Sequence, residues 1–110
     1  MAYDEDLAKR IREQVADEEA VTEKKMFGGL AFLLNGNMAV SASGQGGLLV
    51  RINPGETDAA LEQEHVSLME MRGRSMAGWI RVAPDGLQTK RELAAWIDRG
   101  VGYAKTLPPK

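Results

Sequence analysis

The chain has 110 residues, a formal net charge of −2 and a hydrophobic content of 44%, which fits one domain with one core. The acidic balance disfavours a protein whose main work is to wrap nucleic acid, because such proteins carry a basic footprint. The absence of cysteine excludes disulfides, thiolate catalysis and cysteine-ligated zinc, and no apolar run approaches the ~20 residues of a membrane span.

The first predicted element is a helix from Asp4 to about Glu18. Leu7, Ile11 and Val15 recur at a spacing of four residues, which places them on one face of a helix. We therefore predict that this apolar stripe packs against the core.

A strand is predicted over Val21 to Phe27, followed by the glycine pair Gly28-Gly29. The pair indicates a bend or bulge rather than an anion pocket, because it leads into an apolar run and not into a helix. The runs Leu30 to Leu34 and Asn37 to Ser43 then flank Asn35-Gly36. Asn-Gly between apolar runs is typical of a type I′ hairpin turn.

This turn predicts the register of the hairpin and places Ala39 opposite Phe32. Both faces of the hairpin then carry large apolar side chains, whereas a sheet with one wet face would alternate more cleanly. We expect helices on both faces, or a helix on one face and a partner subunit on the other.

The turn Ser43 to Gly47 lacks the third glycine of a nucleotide-binding loop, because Leu49 stands in its place. A strand over Leu48 to Ile52 and a short polar helix over Glu56 to Glu64 follow. His65, the only histidine, lies just past that helix and is a poor metal or acid–base candidate without cysteine or ordered carboxylates nearby.

Two further strands are predicted over Leu68 to Arg72 and Trp79 to Ala83, with Gly73 to Gly78 as a flexible basic connection. Within it, Gly73 to Ala77 weakly resembles the nucleophile elbow of serine hydrolases, a much larger parallel α/β fold. The order of elements favours an antiparallel α+β domain rather than βαβ units.

The last predicted element is a helix that begins after Thr89. The stretch Thr89 to Glu92 is a capping box. We predict that Trp96 and Ile97 anchor this helix in the core. Gly100 and Gly102 weaken the helix, and we expect them to permit close packing on the sheet.

The block Lys24 to Phe32 (Lys-Lys-Met-Phe-Gly-Gly-Leu-Ala-Phe) resembles the signature of the TfoX/Sxy N-terminal domain family. Similar family blocks occur here in the same order at Gly47 to Arg51, Gly73 to Trp79 and Leu93 to Ile97. The resemblance covers nearly the whole chain. It implies an α+β fold of the secretion-chaperone-like type, in which a curved antiparallel sheet is flanked by N- and C-terminal helices.

Named members of this family regulate natural competence together with the cyclic-AMP receptor protein, and they carry a second, helical domain. The resemblance therefore implies a non-enzymatic regulatory or protein-interaction module without a cofactor, expected to be a stand-alone domain over residues 1–110. We expect a protein partner, with transcription machinery as one candidate, and leave a homodimer open. We also expect a cytoplasmic location, since the acidic N-terminus does not resemble a signal peptide.

The residues predicted to contact a partner are mostly basic, with one aromatic ring. They are Lys24, Lys25, Phe32, Arg51, Arg72, Arg74 and Arg81. The same arginines suit phosphate or carboxylate. A small-anion or nucleotide-binding module, including an uncharacterised enzyme, is therefore the alternative, and direct DNA binding is disfavoured by the charge.

Overall fold

The computed structural model describes residues 4–18, 20–26, 29–44, 46–71 and 74–108, with residues 26, 70–71 and 74–77 described by their backbone. Within these ranges the elements are three α-helices, six strands and two short 3₁₀ turns. In chain order they are α1 (Glu5–Gln14), β1 (Val21–Met26), β2 (Gly29–Leu34), β3 (Asn37–Ala42), β4 (Leu48–Arg51), a 3₁₀ turn (Pro54–Glu56), α2 (Thr57–Leu61), β5 (Val66–Met71), β6 (Arg74–Val82), a second 3₁₀ turn (Pro84–Leu87) and α3 (Lys90–Lys105).

All six strands form one open antiparallel sheet in the order β1-β2-β3-β4-β6-β5. This arrangement confirms the predicted α+β class. In the β1–β2 hairpin Met26 lies opposite Gly29; Phe27 and Gly28 lie outside the described residues, so the bend predicted at the glycine pair stays a prediction. Strands β1 and β5 form the two edges of the sheet.

The helices pack on one face of this sheet and bury the main core there. Leu7 and Ile11 of α1 meet Ile97 of α3 and the inward side chains of the strands, including Phe32 and Val50. Ala60 of α2 joins the same core. Since no described helix covers the other face, the prediction of helices on both faces is wrong for the described part of the chain. The alternative of a partner on that face stays a prediction.

The opposite face carries a smaller cluster formed only by strand residues within the described ranges. Ala31, Met38 and Leu49 are buried in it. Leu33, Met69 and Trp79 are partly buried and pack against it. All three belong to strands. This second face thus carries an apolar cluster without a described helical cover.

The hairpin turn is as predicted, but the register beyond it is not. Asn35 and Gly36 adopt φ values of 53° and 83°, which a type I′ turn requires. A bulge between Phe32 and Leu33 then places Val40, not Ala39, opposite Phe32. Such a bulge sets two residues against one and bends the strand, so the register fixed at the turn does not extend along the whole hairpin.

The prediction of a flexible connection from Gly73 to Gly78 is also wrong from Arg74 onward, because β6 begins at Arg74. Gly73 lies outside the described residues. Partners outside the β5–β6 pair hold the strand at Gly78. The Gly78 N–H donates to Thr57 Oγ1 at 2.8 Å, and the Ile52 N–H donates to the Gly78 carbonyl at 2.8 Å. These long-range bonds give Gly78, at φ 84°, a fixed place that local sequence does not predict.

Helix α3 begins with the predicted capping box. The Glu92 N–H donates to Thr89 Oγ1 at 3.0 Å, and the Thr89 N–H donates to Glu92 Oε1 at 3.2 Å. Ile97 is fully buried as predicted, whereas Trp96 is only half-buried at the margin of the core. With 16 residues α3 is the longest described helix. None of the helices described here has the length and apolar character of a membrane span.

Helix α1 is tied to the edge strand β1 by a two-pronged ion pair. Arg12 Nε and Nη2 each donate to a carboxylate oxygen of Glu23 at 2.7 Å. These hydrogen bonds, helped by the positive charge of Arg12 and opposed by partial burial, hold the pKa of the Glu23 carboxyl below its ordinary value. The Arg12 side chain is 53% exposed, so the pair contributes only about 0.2–1 kcal/mol.

We expect Arg12→Gln to raise the pKa of Glu23 toward its ordinary value, as measured by an NMR titration of the side-chain carboxyl carbon. A depressed pKa in the folded state stabilises the protein above the unfolded-state pKa, and this contribution is lost as the pH falls through the folded-state pKa. The stability difference between wild type and variant should therefore shrink in acid. An unchanged Glu23 pKa in the variant would contradict this account of the pair.

Candidate functional site

Five half-buried side chains form a continuous surface at the end of β4, where the sheet meets α3. They alternate between rings and guanidinium groups, and we name them the aromatic–arginine strip: Trp79, Arg51, Tyr103, Arg99 and Trp96. The strip contains both tryptophans of the chain. One end packs on the strand cluster of the uncovered face and the other on the main core, so the strip runs around the margin of the sheet.

Helix α3 supplies three members of the strip from one stripe. Trp96, Arg99 and Tyr103 are spaced by three and four residues and therefore lie on the same side of the helix. The buried stripe that includes Ile97 and Val101 runs beside them. The helix is thus held in the core by one stripe while the neighbouring stripe stays at the surface.

Arg51 links this helical stripe to the sheet. Its Cζ lies 5.2 Å from the centroid of the Trp79 ring and 5.8 Å from that of the Tyr103 ring. Trp79 is its partner across the β4–β6 pair. Both distances fall within the range of cation–π attraction, so the guanidinium is placed by two rings from separate elements.

Arg99 continues the strip along α3. Its Cζ lies 5.5 Å from the centroid of the Trp96 ring, and its Nη2 donates to Glu56 Oε1 at 3.2 Å. Glu56 ends the first 3₁₀ turn. Buried Thr57 fixes the same segment, since its hydroxyl donates to the Pro54 carbonyl at 2.8 Å and accepts the N–H of β6 described above. The segment from Pro54 to Thr57, which faces α3, is therefore anchored to strand β6 of the sheet.

Two cavities open beside α3 and share Arg99. The first has a volume of about 570 Å³; it is lined by Gln63, Glu64, His65, Gly86, Arg91, Glu92, Ala95, Trp96 and Arg99. The second has a volume of about 410 Å³; it is lined by Ile52, Asn53, Glu56, Arg99, Tyr103 and Thr106. Both are open to solvent, and the strip runs beside them.

The predicted contact residues do not all come together. Lys24 and Lys25 are exposed on the edge strand β1, where lysines commonly prevent edge-to-edge pairing. Arg81 is half-buried, and its Nη2 donates to Ser43 Oγ at 3.0 Å and to the Gly46 carbonyl at 2.9 Å. These bonds hold the β3–β4 turn.

Of the other predicted contacts, Phe32 requires a correction. It is 2% exposed within the main core, because it lies on the helix-covered face of β2, and its ring cannot reach a partner. Arg72 lies outside the described residues, and Arg74 is described as the first backbone position of β6. Among the predicted residues whose side chains the structure describes, only Arg51 joins the strip.

Sequence reasoning missed Trp79, Trp96, Arg99 and Tyr103 as surface residues. The second stripe on α3 could have been predicted from its spacing, because Arg99 and Tyr103 follow Trp96 at intervals of three and four residues. The contact with Arg51 was not readable, because β4, β6 and α3 meet only in the folded sheet.

The described residues offer little for catalysis through a metal or for binding a nucleotide by its phosphates. No group of three or more histidine, aspartate or glutamate side chains in the described ranges could hold a metal ion. The glycine-rich turn after β3 runs into strand β4 rather than into a helix, so it lacks the helix N-terminus that phosphate loops use.

Comparison with known sequences agrees with the fold. No curated protein matches the chain. The sequence profile of the TfoX N-terminal domain matches residues 13–104, which includes every strand and most of α3. The chain belongs to the TfoX N-terminal domain family.

Proposed function

We propose that this chain is a non-enzymatic regulatory module that binds a partner protein through the aromatic–arginine strip. The observation that carries the proposal is the composition of the strip: both tryptophans, Tyr103 and two arginines lie together and are partly exposed. Tryptophan, tyrosine and arginine are the residue types most enriched at the energetic centres of protein interfaces. A core role alone would bury these rings, as it buries Phe32.

The strip also has the supports that an interface centre needs. Arg51 and Arg99 are positioned by rings within 6 Å, and the rings pack on the two apolar clusters. Less side-chain entropy is therefore lost when a partner binds. The family's association with competence regulation supports transcription machinery as the class of partner, and a second copy of the chain is the other occupant that a test must detect.

Photo-crosslinking in cells tests this proposal. We would place p-benzoylphenylalanine at Ala95, which is exposed and lines the larger cavity beside Trp96, and at Lys9, which is exposed on α1, as the matched control. We expect a discrete protein adduct from position 95 that is absent from position 9 and that weakens when Trp96→Ala is added.

The mass of the adduct identifies the occupant. An adduct at twice the mass of the chain would assign the strip to a homodimer, whereas a heavier or lighter partner would be identified by mass spectrometry. Adducts of equal yield from both positions, or none from position 95, would count against the strip as the binding surface.

A further inference from the structure

Arg51 differs from the other half-buried arginines whose side chains the structure describes. Arg10 donates to the Leu87 carbonyl at 2.9 Å, and Arg81 and Arg99 donate to protein oxygens as given above. Arg51 has ring contacts but no hydrogen bond or ion pair to the described residues. Its N–H donors are partly withdrawn from water, and no acceptor for them lies among the residues that the structure describes.

Such an arrangement favours a planar anion. The guanidinium carries its N–H groups in its own plane as a fork, which matches the two oxygens of a carboxylate. Contacts with Trp79 and Tyr103 hold the group in place. Groups that are already ordered lose less entropy when a ligand binds.

The local charge favours one carboxylate over a polyanion. Arg51 and Arg99 contribute two positive charges, and Glu56, 3.2 Å from Arg99, offsets one of them. The chain as a whole carries −2, which repels nucleic acid and other polyanions at long range. One acidic group therefore matches the site.

The surroundings of Arg51 favour apolar neighbours for that acidic group. The half-buried rings of Trp79 and Tyr103 flank it, and Trp79 packs on the apolar strand cluster of the second sheet face. Apolar side chains on either side of a carboxylate would bury ring surface that is otherwise partly exposed.

We propose that the strip recognises a partner segment in which one acidic side chain stands between apolar side chains, with the carboxylate bound by Arg51. This inference rests on the proposed function and names the chemistry of its partner. It predicts which residue of the strip selects the partner and which residues only supply apolar contact.

A matched pair of peptides tests the inference. The tripeptide acetyl-Leu-Glu-Leu-amide and its glutamine analogue would be titrated into the ¹⁵N-labelled protein, and the signals of Arg51 Nε–H and of the two indole N–H groups would be followed by NMR. We expect the glutamate peptide to bind at least about tenfold more tightly, since hydrogen bonds between a guanidinium and a carboxylate are stronger than those to a neutral amide.

Variants of Arg51 distinguish recognition by its planar N–H donors from attraction by its positive charge alone. Arg51→Lys keeps the charge but loses the planar donors, so it should remove most of the preference for glutamate, as should Arg51→Gln. Lys9→Gln on α1 removes one positive charge elsewhere and should leave the preference unchanged. The unaffected signals of the rest of the chain report that each variant is folded.

Several outcomes would overturn the inference. These are equal binding of the two peptides, binding of neither, a preference retained in Arg51→Lys, or tighter binding of inorganic phosphate than of the glutamate peptide. Each would leave the crosslink from position 95 untouched, so failure of the carboxylate inference is distinguishable from failure of the proposed interface.

Discussion

Replacing Phe32 by alanine is expected to lower the free energy of unfolding by about 3–5 kcal/mol, the usual cost of removing a fully buried ring. Phe32 is 2% exposed in the main core. For a domain with a total stability of about 5–15 kcal/mol this loss is large, and urea denaturation measures it. Phe32→Leu leaves a smaller void and provides a folded variant if the alanine variant does not fold.

Leu33 is the matched control, because it neighbours Phe32 on β2 but belongs to the opposite face, where it is only partly buried. Leu33→Ala should cost less than half as much as Phe32→Ala. An equal or larger loss at Leu33 would reverse the assignment of the two faces and would return Phe32 to the surface as a contact residue.

Gly100→Ala is expected to destabilise the protein by about 1–3 kcal/mol, the typical cost of overpacking. A Cβ atom at Gly100 would lie 2.5 Å from the Ala39 carbonyl oxygen and 2.9 Å from Val40 Cγ1. Because the nearest atom belongs to the sheet backbone, α3 or β3 would have to move. Thermal and urea denaturation of the variant measure the loss.

Gly102→Ala provides the control on the same helix. A Cβ atom there meets nothing within 4 Å, so alanine should stabilise the helix by up to about 1 kcal/mol through its higher helix propensity. The two substitutions are therefore predicted to have opposite signs. A stabilising Gly100→Ala would show that α3 does not pack closely on β3.

Features that depend only on residues close together in the sequence could be predicted from it. The Asn35-Gly36 turn could be predicted because its positive φ values depend on those two residues alone. The capping box at Thr89 is equally local. Close packing at Gly100 was also foreseen, although the same expectation at Gly102 does not match the open space around that residue.

Features that depend on distant contacts could not be predicted in the same way. The β2–β3 bulge lies where α3 approaches, and the Ala39 carbonyl beside Gly100 is part of that contact. Strand formation through Gly78 depends on hydrogen bonds with Thr57 and Ile52. Neither is visible as a periodicity of the strand itself.

In the candidate site, too, one residue was predicted from the sequence and its contacts were not. Arg51 was predicted as a contact residue only as one of several basic residues. Its ring partners come from β6 and α3, so their approach depends on the whole sheet. Trp96 was assigned to the core because of its size, but its neighbour Ile97 takes the buried position and leaves the larger ring at the margin.

Intrinsic tryptophan emission is the most direct measurement of the central claim, because both tryptophans of the chain belong to the strip. The partner identified from the crosslink at position 95 would be purified separately and titrated into the protein. We expect the emission to shift to shorter wavelength, because the exposed parts of the rings leave water. Trp79→Phe and Trp96→Phe should each retain part of the saturable change. Binding that is confirmed by sedimentation but leaves the emission unchanged would place the interface elsewhere and contradict the account.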